Sequence, residues 1–322
     1  MKVLMLSTDR KIFEPTSEVH KRMLGYAEDF EELFIIILGV NMELKVEGKL
    51  KYLGLTRFRA IFWRPIDKFD LVTSQDPFET GLVAQRLAKL TGAQLKLQIH
   101  TDLFNPYFKK QSLLNRVRVL IARFLLPRAD KIRVVSQRIA DSLLPISYKL
   151  KATPEVRPIF VDVEKIKNAP IKTDLHKKYP QFEKIILMAS RLTWEKNIGL
   201  AIEAMRDANM RMHANNTNRK ILLLIVGSGP EEGSLKCKVE SLKLVEQIKF
   251  EPWSNDLPSY YKTADLFLLT SYYEGYGMTL VEANVAGCKI VSTDVGVARE
   301  AKAVIAKLNS VDLSNKIIEA LA

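Results

Sequence analysis

Short apolar runs of strand character alternate with stretches of helical periodicity along almost the whole of this 322-residue chain. When a helix joins two strands, the chain returns to the same end of the sheet. Such alternation therefore implies parallel sheets with helices covering their faces. In the first half, residues 2–7, 33–38, 71–74, 95–99 and 131–136 have strand character, with helical patterns at 18–28 and 80–90 between them. The second half repeats the scheme with strands at 184–189, 220–226, 247–250, 266–270 and 289–293 and helices at 198–208, 231–242, 279–286 and 313–321. A polar, lysine-rich stretch bracketed by Pro158, Pro170 and Pro180 separates the halves. The length suits two domains of about 150 residues. The expectation is an α/β chain of two doubly wound, Rossmann-like domains, 1–165 and 166–322, facing each other across a cleft. In open parallel sheets ligands sit beyond the carboxyl ends of the strands, so the chemistry belongs in the loops that follow them.

A hydrophobic share of 47% is enough to bury a large core. No apolar run approaches the ~18 residues of a membrane span, and the first residues lack a signal-peptide pattern. Cys237 and Cys288 make neither a disulfide framework nor a metal-ligand cluster. A reducing cytoplasm is the expected setting. The net charge of +12 is uneven: residues 1–165 carry 28 Lys/Arg against 19 Asp/Glu, the remainder 21 against 18. Something anionic should meet the first half.

Several loops could carry chemistry. Residues 269–282 pass from strand to loop to helix, with Gly275, Tyr276, Gly277 and Met278 between Glu274 and Glu282. The glycines let the backbone approach a ligand, and the N–H groups at the helix start suit an anion or hydroxyl. A carboxylate here grips a vicinal diol with two hydrogen bonds, or else both glutamates are simply solvated. Arg191 and Lys196 follow the strand 184–189, and Asn197 opens the next helix. Two cations beside a helix N-terminus neutralise a diphosphate leaving group; the alternative is a solvated basic loop. Gly227 and Gly229, in a Val-Gly-Ser-Gly-Pro run ending at Pro230, permit either phosphate approach or tight structural packing. The third glycine of a dinucleotide fingerprint is missing.

In the first half, His100-Thr101-Asp102 ends a strand, and the histidine is placed to hydrogen-bond a sugar hydroxyl or a phosphate. His20, His176 and His213 have no such placement and receive no function. Residues 104–133 hold eight basic side chains and one acid, Asp130. Interleaved Leu113, Leu114, Val117, Leu120, Ile121 and Phe124 recur at helical spacing. This segment either lies on an anionic membrane or, more commonly for such a pattern, turns its apolar stripe into the core.

Arg191-Leu-Thr-Trp-Glu-Lys196-Asn, Val-Gly-Ser-Gly-Pro, and then Glu274 and Glu282 with seven residues between them resemble, in order and spacing, the donor-domain series of the retaining glycosyltransferases of family four. The match runs from about residue 185 to 300 and extends more loosely to His100-Thr-Asp102, 134–136 and 157–162. The resemblance implies the GT-B fold and transfer of a hexose-type sugar from a UDP- or GDP-sugar to a glycan or lipid-linked acceptor. The anomeric configuration would be kept, and no metal or cofactor beyond the nucleotide-sugar co-substrate is implied. Arg191 and Lys196 would bind the diphosphate and Glu282 the ribose. Glu274 with the amides of Gly275 to Met278 would hold the sugar, His100 would touch it from the other domain, and Trp253 would lie in the loop that meets the base. No Asp-x-Asp metal motif occurs. Phe13-Glu-Pro-Thr-Ser17 stands where relatives carry a glycine-rich loop, and relatives usually continue beyond Ala322, so a fragment or a short version is expected. A nucleotide-sugar epimerase is disfavoured by the Glu274 spacing. A non-catalytic nucleotide-sugar-binding protein stays open, and no recognised nucleic-acid-reading module is present.

Overall fold

The computed structural model describes residues 1–214 and 220–322, with backbone alone for 212–214. The His213 side chain lies outside the described residues. By internal contacts the chain divides into two units, Met1–Pro158 and Ile159–Ala322. The division precedes the expected 165/166 boundary because the helix Val163–Asn168 packs on the helix Met278–Val285 of the second unit.

The first unit holds β1 (Lys2–Ser7), β2 (Glu32–Leu38), β3 (Met42–Glu47), β4 (Leu50–Leu55), β5 (Leu71–Ser74), β6 (Gln94–Ile99), β7 (Lys131–Val134) and β8 (Pro154–Val156). Their order across the sheet is β3-β4-β2-β1-β5-β6-β7-β8, parallel throughout except for the β3–β4 hairpin. Sequence patterning offers no sign of that hairpin. Every residue of β3 but Glu47 is exposed, so it has no buried face to produce a period. The Phe13–Ser17 stretch leads into the helix Glu18–Glu28, whose N-terminus is capped by Ser17 Oγ accepting from the His20 amide at 3.1 Å.

Helix Leu113–Leu125 overturns the commoner expectation for its segment. It faces inward with Asn115, Val119, Ala122 and Leu125, while Leu113, Leu114, Val117, Leu120 and Phe124 are exposed. Two contacts decide this. Asn115 Nδ2 donates to the Phe108 carbonyl at 3.0 Å. Leu125 packs so close to Gly81 that a Cβ there would lie 2.8 Å from its Cδ1.

The second unit contains β9 (Lys184–Ala189), β10 (Ile221–Val226), β11 (Ile248–Glu251), β12 (Leu266–Leu269), β13 (Lys289–Thr293) and β14 (Val304–Ala306), all parallel, in the order β11-β10-β9-β12-β13-β14. Alternate residues point to opposite faces and both faces are covered. Ile186, Leu223 and Leu268 enter one core cluster, and Leu187, Leu224 and Phe267 the other. That double burial explains why these strands read as continuous apolar runs. The register aligns Ala189, Val226 and Glu251 in one row, so the loops after β9, β10 and β11 leave the sheet at one level.

Candidate functional site

The winding of the second sheet reverses between β9 and β12, which lie side by side although about 80 residues apart in sequence. Their connections depart in opposite directions and leave a crevice at the carboxyl ends. Residues 190–197 follow β9 and residues 270–277 follow β12. Thr270 Oγ1 donates to the carbonyls of Lys196 and Asn197, both at 3.0 Å. The Tyr272 amide donates to the Glu195 carbonyl at 2.8 Å, and the Trp194 and Tyr272 rings pack at 4.6 Å between centroids. Asn197 ends the turn in the left-handed region at φ 49°.

With the loops laced together, Lys196 Nζ reaches Glu274 Oε1 at 2.5 Å, and Ser271 Oγ donates to the same oxygen at 2.7 Å. The two charged side chains are only 16% and 12% exposed, so solvent screens this pair little. Arg191 lies farther out. Its side chain is 76% exposed, and Nη2 meets Glu195 Oε1 at 3.2 Å, an oxygen that Thr193 Oγ1 also reaches at 2.7 Å. With the guanidinium this exposed, the contact is worth at most about 1 kcal/mol and yields readily to a stronger anion.

Gly227 and Gly229 have a structural role. At Gly227, where φ is +143°, a Cβ would sit 1.9 Å from the Ser190 carbonyl oxygen; at Gly229 it would lie 2.3 Å from that of Leu192. The turn is bonded to the loop it supports: the Leu192 amide donates to the Ser228 carbonyl at 2.9 Å and the Glu231 amide to the Leu192 carbonyl at 3.0 Å. Close approach is required, and the approaching group is the Arg191 loop itself. Pro230 lies just ahead of the helix Glu232–Ser241, which has Glu231 as its N-cap residue. Burial, with the Glu195 charge nearby, pushes the Glu231 carboxyl up.

Gly277 caps the helix Met278–Val285 in a left-handed conformation, φ 88°, and as a glycine offers no side-chain cap. Tyr276 is held by its carbonyl, which accepts from the Val297 amide at 2.9 Å. Glu282 accepts from Tyr261 Oη at 2.9 Å; burial pushes its carboxyl up and the tyrosine bond pulls it part of the way back. Tyr261 is a partner that sequence reasoning misses, as is Ser271; the only signal for the latter is a polar pair, Thr270-Ser271, ending an apolar strand. Trp253 stands half-exposed two residues past β11. Glu251, at the end of that strand, gathers Tyr179 Oη, Tyr260 Oη at 2.7 Å and Lys178 Nζ at 2.6 Å. Burial pushes this carboxyl up, but the three donors outweigh it and hold it below its ordinary range.

His100 lies on the first unit, at the end of β6. Its crowded surroundings and the Arg133 guanidinium push the imidazole down. Asp102 beside it is buried and pushed up by that burial. His20 and His176 make local bonds: His20 Nδ1 meets the Ile12 carbonyl at 2.6 Å, and His176 Nε2 lies 3.0 Å from Asp265 Oδ2. Among the described residues, no group of three or more His, Cys, Asp or Glu side chains is placed to hold a metal ion.

Comparison with known proteins bears on the family and the fold. Residues 172–321 match the family model described as glycosyl transferases group 1, and residues 38–151 match the glycosyl transferase 4-like domain. Alpha-monoglucosyldiacylglycerol synthase of Streptococcus pneumoniae is 26% identical over 70% of this chain and 52% of its own length. The UDP-Gal:alpha-D-GlcNAc-diphosphoundecaprenol alpha-1,3-galactosyltransferase of Escherichia coli is 26% identical over 76% of this chain and 64% of its own. The chain thus spans about half to two thirds of the length of these curated relatives. Among solved structures, Anabaena Alr3699/HepE in complex with UDP and glucose superposes with a TM-score of 0.71 at 18% identity, covering 100% of this chain and 90% of that one. Sucrose-phosphate synthase from Thermosynechococcus elongatus gives 0.71 at 17%, with the same coverage. The fold is GT-B. With both units matched by their respective models, the chain belongs to the group 1 glycosyltransferases.

Proposed function

We propose that this protein transfers a hexose-type sugar from a nucleoside diphosphate sugar to a glycan or lipid-linked acceptor, with retention of anomeric configuration and without a metal ion. The observation that carries this reading is the shielded Lys196–Glu274 pair at the crevice between β9 and β12. A diphosphate entering there displaces Glu274 from Lys196, because two phosphate charges outcompete one carboxylate for the ammonium. Lys196 and Arg191 then neutralise the charge that grows on the departing phosphate as its bond to the sugar breaks. Glu274, freed, accepts from sugar hydroxyls alongside the amides of Gly275 to Met278, and Glu282 accepts from the ribose diol. The acceptor attacks on the face the phosphate leaves, and that phosphate takes the acceptor's proton. Trp253 meets the base.

Uridine is the favoured base, since HepE carries UDP and glucose. A lipid-linked acceptor is favoured by the E. coli relative, named for a diphosphoundecaprenol-linked sugar. The test is incubation with UDP-glucose, UDP-galactose and GDP-mannose without acceptor, in the presence of a chelator. Slow release of free nucleotide from one donor, lost in Lys196→Ala, is the expected result. Binding of all donors with no release from any would leave a nucleotide-sugar-binding protein and sink the catalytic reading.

A further inference from the structure

One face of the first unit carries exposed apolar side chains set among cations. On helix Leu113–Leu125, Leu113 is 75%, Val117 50% and Leu120 63% exposed. The segment after β4 presents Phe58 at 72%, Phe62 at 64% and Ile66 at 101%. Soluble proteins rarely leave such side chains grouped in water. These are not scattered over the surface. The crossovers β4 to β5, β5 to β6 and β6 to β7 all run toward the β8 edge, and right-handed crossovers that advance in one direction lay their connections on one face of the sheet. Contacts agree: Arg86 Nη1, on the helix Glu79–Thr91, donates to the Trp63 carbonyl at 2.8 Å, and the same helix packs against Leu113–Leu125.

The charges on this face are mostly of one sign. Exposed Lys110, Arg116 and Arg123 accompany the first group, and exposed Arg57 and Arg59 the second. The acids nearby are Asp67 and Glu79, and Glu79 is engaged by Arg118 at 3.1 Å. Among the described residues, no helix is long and apolar enough to cross a membrane. We propose that this face docks on the surface of an anionic phospholipid bilayer. Phe58, Phe62, Ile66, Leu113 and Leu120 enter the headgroup–acyl boundary, and the arginines and lysines meet lipid phosphates. The chemistry fits a bilayer better than a rigid protein partner, because the apolar groups stand on separate elements and each is accompanied in the chain by exposed cations. Membrane capture needs no turnover, so its test is independent of the transferase reading.

The experiment is flotation of the full chain with vesicles of phosphatidylcholine alone and of phosphatidylcholine mixed with phosphatidylglycerol. Binding to the mixed vesicles only is expected. A chain of net charge +12 adheres weakly to any anionic surface, so variants of the apolar groups decide the matter. Phe62→Ser with Ile66→Ser, and Leu113→Ser with Leu120→Ser, should each lower partitioning about tenfold or more, with unchanged circular dichroism and melting temperature. Parent-like binding by both double variants, no binding to mixed vesicles, or a homodimer in solution that the same substitutions dissociate would each overturn the proposal.

Discussion

Both sheets reverse their winding, the first between β1 and β5 and the second between β9 and β12, yet the two crevices hold different chemistry. In the first, Ser7 Oγ donates to Gln75 Oε1 at 2.9 Å and accepts from the Asp9 amide, a neutral hydrogen-bonded closure. The chain then enters a helix capped by Ser17. In the second, an ammonium and a carboxylate meet at 2.5 Å, and a glycine turn lets two loops touch backbone to backbone. Topology supplies a crevice in each unit, but only the loop residues decide whether charge is stored there.

Four substitutions test that contrast. The largest effect is expected from Lys196→Ala, which should lower turnover about a hundred- to a thousandfold while the unfolding midpoint moves little, read by donor turnover beside a thermal melt. Gly227→Ala should cost about 3 kcal/mol of stability in denaturant unfolding, since the new methyl meets the Ser190 oxygen in a backbone region closed to alanine. No residue of the first crevice should match it.

Tyr261→Phe should cost about 1 kcal/mol and weaken donor binding severalfold by calorimetry. It also removes the bond that pulls the Glu282 carboxyl down, so that group titrates still higher. A raised carboxyl favours its protonated form in the native state, so its contribution to stability is present at low pH and lost as pH rises through the native value. Donor affinity runs the other way, because only the ionised carboxylate accepts from both hydroxyls of a diol. Affinity should climb through that pH window in the parent, climb later in Tyr261→Phe, and stay flat in Glu282→Gln. The smallest effect belongs to Ser7→Ala, with a stability loss of about 0.5–1 kcal/mol and no change in donor affinity. A large donor effect there would erase the distinction between the two crevices.

Much of the site is legible in the chain because its loops each follow a strong apolar strand. Arg191, Lys196, Glu274 and Glu282 stand out by position at strand ends and by order. Their partners do not. Tyr261 lies 21 residues before Glu282, and Ser271 looks like any polar strand terminus. The Glu251 cluster gathers Lys178 and Tyr179 from over 70 residues away, and no local pattern announces it. Gly227 and Gly229 were open to either a phosphate or a structural explanation, and the structure shows the neighbouring loop within the reach a side chain would need.

The class of fold and the order of the loops are readable from the chain alone, because strand and helix periods are local properties of hydrophobic spacing. Local spacing could not determine which stripe of a helix turns inward when apolar residues occur on more than one side. Around Leu113–Leu125 that choice fell to Gly81, whose missing Cβ admits Leu125, and to the Phe108 carbonyl, which draws Asn115 into the interior. Nor could it determine that Lys196 and Glu274, 78 residues apart, form a hydrogen-bonded ion pair. Pairing across such a distance depends on how the sheet is wound, and winding is settled only when both faces of the sheet are buried together.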